Sequence, residues 1–76
     1  MSLANMQETI NIDGTEVEVY YYENPMSHED WHDVENLGLE YVDYVDNGGD
    51  YWDDYLIFCK KGFKLEVTGY FLEKRR

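Results

Sequence analysis

A chain of 76 residues allows one domain around one modest core. With 43 % apolar and 17 % aromatic residues, eight tyrosines among them, it is no disordered acidic tail. The formal net charge is −11 and no Lys or Arg precedes Lys60, which excludes long-range attraction to DNA, RNA or anionic membranes.

Residues 1–7 read as a frayed or appended leader, residues 8–74 as one α+β domain, and residues 75–76 as the end of a basic tail. The segment from Glu8 to Glu23 carries a hairpin signal. Asp13-Gly14 favours a two-residue type I′ turn. That turn sets Ile12 opposite Thr15 and Ile10 opposite Val17. Ile10, Ile12, Val17, Val19 and Tyr21 then share one face, and Glu16, Glu18, Tyr20 and Tyr22 the other.

Asn24-Pro25 ends the strand. Ser27, with Asp30 three residues on, predicts a capping box. Stepping 100° per residue places a helix over 28–46, with Trp31, Val34, Leu37, Tyr41, Val42, Tyr44 and Val45 on one arc. Glu29, Asp33, Glu40 and Asp43 line the opposite side. A competing reading ends the helix at Gly38 and makes 39–45 a strand. It ranks second because the apolar residues of 39–45 alternate badly.

Asn47-Gly48-Gly49 stops the helix. Tyr55–Lys60 and Phe63–Lys74 then predict a second hairpin about Lys61-Gly62. The order is β-β-α-β-β: a four-stranded antiparallel sheet with one amphipathic acidic helix on one face. The other face is expected to stand open, carrying Tyr20, Tyr22, Ile57 and Cys59, a surface for self-association.

There is one cysteine, Cys59, so no intramolecular disulfide forms. No signal-peptide pattern and no stretch long enough to span a bilayer is present, which makes the cytoplasm the default compartment. His28-Glu29-Asp30-Trp31-His32 spells H-E-x-x-H, in which two His one turn apart hold zinc and the Glu activates its water. Here the charged Asp30 stands at a usually apolar position, the motif falls in the first helical turn, and no third ligand is evident. His28, Glu29 and His32 are therefore a weak metal alternative, and no cofactor is expected. The aspartates of 43–54 do not follow the EF-hand pattern. Lys60, next to Cys59 in sequence, points to the other face of the strand, so Cys59 reads as a half-buried spectator thiol.

What remains is a carboxylate stripe. Glu29, Asp33, Glu40 and Asp43 would span roughly 21 Å of helix. Beyond the glycine turn, Asp46, Asp50, Tyr51, Trp52, Asp53 and Asp54 interleave acids with aromatic rings of the kind that fill protein interfaces. Carboxylates at such intervals can occupy a nucleic-acid-binding cleft, and in charge pattern alone the chain is similar to DNA-mimic inhibitors. The bland reading is a surface that keeps a small protein in solution, yet such surfaces usually mix both signs. The expectation is a non-enzymatic protein that docks on a basic partner protein, such as a nucleic-acid-binding enzyme. The alternative is an assembly subunit, a homodimer through the tyrosine face.

Overall fold

The computed structural model describes residues 3–45 and 54–74. Its elements are strands β1 (Met6–Ile12) and β2 (Thr15–Glu23), helix α1 (His28–Leu37), strands β3 (Leu39–Val45) and β4 (Tyr55–Lys60), and helix α2 (Lys64–Lys74). The strands form one four-stranded antiparallel sheet in the order β1-β2-β4-β3. The chain is thus α+β with the expected strand count and two helices. No helix among the described residues is long and apolar enough to cross a membrane.

The first hairpin forms in the expected register, Ile10 against Val17 and Ile12 against Thr15. Asp13 (φ 51°) and Gly14 (φ 87°) both take positive φ, as a type I′ turn demands. The Asn11 side chain accepts the Gly14 N–H at 3.0 Å. β1 begins at Met6, two residues before the expected start.

α1 opens on the predicted capping box. Ser27 Oγ accepts the Asp30 N–H (3.1 Å) and Asp30 Oδ2 accepts the Ser27 N–H (3.0 Å). The helix does not run to residue 46. Gly38 adopts the left-handed conformation (φ 64°, ψ 45°), and its N–H returns to the Glu35 and Val34 carbonyls. The competing reading of this stretch is the one that forms. Residues 39–45 alternate badly because β3 carries a bulge between Tyr41 and Asp43. The extra residue shifts the side-chain parity, so Leu39, Tyr41 and Tyr44 share the α1 face while Val42 and Val45 join the opposite core. Lys60 at the end of β4 donates from Nζ to the Leu37 carbonyl (3.1 Å), placing a cation at the C-terminus of α1.

The second hairpin is corrected as well. After the Lys61-Gly62 turn, residues 64–74 coil into α2. Phe63, Leu65 and Val67 fit a strand, but Val67, Tyr70 and Phe71 at i, i+3, i+4 also fit one helical face. The sheet decides between them. Val19 pairs with Cys59 and Tyr21 with Ile57, which gathers Ile10, Val17, Val19, Tyr21, Ile57 and Cys59 on one face. α2 covers that face with Val67, Tyr70 and Phe71. α1 covers the other, over Tyr20, Tyr22, Phe58 and Leu39. Neither face of the sheet stands open as expected.

Candidate functional site

The expected self-association residues are interior. Tyr22 and Ile57 are fully buried and Tyr20 is 4 % exposed. They also do not share a face: α1 covers Tyr20 and Tyr22, and α2 covers Ile57 and Cys59 on the opposite side of the sheet.

The expected carboxylate stripe also breaks up. Glu29 is exposed on α1, but Asp33 on the same helix is buried at 7 % exposure. Its Oδ2 accepts the Tyr22 hydroxyl (2.6 Å) and the Leu3 N–H (2.9 Å). A buried tyrosine hydroxyl requires an acceptor, and a carboxylate accepts more strongly than a neutral group. The N-terminal segment is held over this pair: Asn5 N–H donates to the Tyr21 carbonyl and the Asn5 side chain accepts from Glu23 N–H. Asp54 is buried too. Its carboxylate accepts the Tyr44 hydroxyl and its carbonyl the Asn24 N–H. Among the described residues no buried side-chain polar atom lacks a hydrogen-bond partner. Asp33 and Asp54 are thus tied into the fold, and the placing of both on a solvated acidic surface is corrected. Glu40 and Asp43 lie half-buried on β3, paired beside Cys59 and Ile57 and so on the sheet face away from α1. Asp46, Asp50, Tyr51, Trp52 and Asp53 fall outside the described residues.

In place of the stripe is an aromatic cluster at the β3 edge. Phe58 is buried, and three rings meet it edge-on: Tyr22 at 5.4 Å, Trp31 at 5.9 Å and Tyr41 at 5.8 Å between centroids. Burying Phe58 stabilises by about 2–3 kcal/mol, and each edge-on pair adds roughly 0.5–1.5 kcal/mol. Two of these rings remain half in water. Trp31 is 49 % and Tyr41 42 % exposed, with Tyr44 beside them at 37 %. The expected long helix would have buried all three on its inner arc. Seen along its edge, β3 thus presents Tyr41 and Tyr44 on one side and Glu40 and Asp43 on the other. Glu29 and Glu35 stand exposed on α1 near Trp31. The signal for this cluster was the Gly38 stop, which turns 39–45 from a helix face into a sheet edge.

His28 and His32 meet edge-on with 5.1 Å between centroids on the exposed first turns of α1. Among the described residues no group of three or more His, Cys, Asp or Glu is arranged to hold a metal ion. Cys59 is fully buried, and burial first, then the Glu40 and Glu66 carboxylates, push its thiol up to about 11 against the pull of Lys64. It stays protonated at neutral pH. The Tyr20 hydroxyl donates to Glu18 (2.6 Å), and burial followed by that bond pushes its pKa up to about 12.

Comparison with protein-family models, with curated proteins and with solved structures gave no match.

Proposed function

We propose that the chain is a non-enzymatic binding protein that presents its α1 side and β3 edge to a basic surface on a partner protein. The observation that carries this is the half-exposed aromatic group Trp31, Tyr41 and Tyr44, with Glu29 and Glu35 exposed on α1 and Glu40 and Asp43 on the opposite side of the same edge strand. Aromatic side chains left in water beside a single sign of charge match the composition of interface centres and their rims. The absence of any Lys or Arg before Lys60 adds to it, since no basic residue of that stretch competes for the carboxylates. Asp46, Asp50, Tyr51, Trp52 and Asp53 extend the proposed surface by sequence alone. In its sharper form, the surface takes the place of nucleic acid in the cleft of a nucleic-acid-binding enzyme.

The test is capture of partners from the native host's lysate by the intact chain, washed at rising salt and challenged with duplex DNA. Wild type is compared with a Glu29→Lys, Glu40→Lys, Asp43→Lys variant and with Trp31→Ala. Asp33 is left intact because its loss would report on folding. A partner that both variants lose and duplex DNA displaces supports mimicry. One that both lose but DNA does not displace supports acidic docking alone. Full retention by both variants overturns the proposal.

A further inference from the structure

The other side of the molecule carries a groove that the surface just described does not use. It runs between the β1–β2 turn and α2. One hollow of about 340 Å³ lies between Ile12 and Asp13 of the turn and Leu65, Glu66, Gly69 and Tyr70 of the helix. A second, of about 230 Å³, continues it past Ile12, Asp13, Val17, Phe63 and Glu66. Among the described residues, no Lys or Arg lines either hollow, whereas Asp13, Glu66 and Glu73 stand around the first.

Two features of α2 lack an explanation within the chain. Leu65 at the groove mouth is 85 % exposed, on the helix face turned away from Val67. Gly69 sits mid-helix without positive φ, and a Cβ added there would meet nothing within 4 Å. Neither backbone conformation nor internal packing asks for glycine, although glycine weakens a helix relative to alanine. A groove wall without a Cβ lets another chain approach the helix backbone closely.

We propose that this groove is a second docking site, which takes a basic segment of a partner protein by seating one large apolar side chain against Ile12, Leu65 and Tyr70. Flanking Lys or Arg side chains of that segment meet Asp13, Glu66 and Glu73. Charge selects the occupant. A second copy of a chain at −11 is repelled, while a cationic segment is attracted and steered. The proposal goes beyond the α1–β3 surface and does not depend on it.

The probe is a short synthetic peptide with one leucine flanked by lysines, titrated into the isotope-labelled full chain and followed by amide NMR. Its control carries serine in place of leucine. Shifts are expected at Ile12, Asp13, Leu65, Glu66, Gly69 and Tyr70, with affinity lower for the serine peptide. Gly69→Ala is the diagnostic variant, because it should raise Tm by about 4 °C and still weaken peptide binding roughly tenfold. Leu65→Ser, at an exposed position, should weaken binding similarly without lowering Tm. The Trp31→Ala variant, which alters the α1–β3 surface without changing charge, should bind the peptide as wild type does, which separates this site from that surface. Shifts confined to the Trp31 and Tyr41 region overturn the proposal, as does unchanged binding by a stabilised Gly69→Ala. Concentration-dependent dimerisation that Leu65→Ser abolishes overturns it in favour of a second copy.

Discussion

Asp33 shows how one side chain can reverse its assignment. A helical wheel sets it among solvated acids, because a wheel records angle and not depth. Tyr22 lies beneath it with no exposed surface, and the hydroxyl needs an acceptor. Asp33→Ala should therefore destabilise by about 2–3 kcal/mol, read as a lower urea midpoint, even though it removes a negative charge from an over-charged chain. Tyr22→Phe in the Asp33→Ala background should recover part of that loss, so the double variant costs less than the two single changes together. A neutral or stabilising Asp33→Ala would show that charge relief outweighs the bond. Tyr20 gives a second residue-scale prediction. Its folded pKa of about 12 exceeds the ordinary tyrosine value of 10.0, chiefly through burial and then through Glu18. The folded state thus holds the proton more tightly than the unfolded one. The stabilisation is complete below pH 10 and is lost as pH rises through 12. Tyr21 is raised in the same sense by burial and by its bond to Glu8. Tm should fall across that alkaline window together with late phenolate absorbance, and Tyr20→Phe should make the fall shallower.

The elements differ in how far local sequence determines them. The β1–β2 hairpin was legible down to its register, because turn chemistry and alternation lie within sixteen residues and agree. The capping box of α1 was legible for the same reason. The end of α1 was ambiguous: Gly38 fits both a mid-helix position and a left-handed cap, and the β3 bulge hid the alternation that would have settled it. α2 satisfied both periodicities, and only the apolar face formed by pairing β2 with β4 selects the helix. That face is a non-local fact which no window along the chain contains. The candidate site shares this limit. Its composition was legible, but the division of the acids between α1 and the far side of β3 depends on the fold. The same bulge, with Glu40 and Asp43 on an edge strand, also blunts pairing between copies of the sheet. The cap itself is testable. Gly38→Ala should cost about 1 kcal/mol, since φ 64° strains any Cβ-bearing residue while nothing within 4 Å obstructs the added carbon. Unchanged stability in denaturant would mean that α1 can end without a left-handed residue.

At the scale of the whole molecule, charge and shape act together. The chain is flattened, 33 × 31 × 16 Å, so the carboxylates of the described residues lie close to a surface and to one another. The Debye length is about 30 Å at 0.01 M salt, comparable with the long dimensions, and about 8 Å at 0.15 M. At low salt, acids across the entire molecule repel one another, and the six bases, all at or beyond residue 60, cannot offset them evenly. Raising NaCl from about 0.01 to 0.15 M should therefore raise Tm, with the gain levelling off once the Debye length falls below the spacing between neighbouring acids. Replacing exposed Glu16, Glu29 and Glu35 by Gln should flatten that slope. Binding to a basic partner must respond in the opposite direction, because the same screening weakens attraction between the two proteins. The two slopes together discriminate between readings of the acidic surface. A Tm that rises while partner affinity falls assigns the carboxylates to recognition, at a cost in stability. A Tm that rises while affinity holds constant leaves the aromatic rings as the contact and the charge as a burden on the fold.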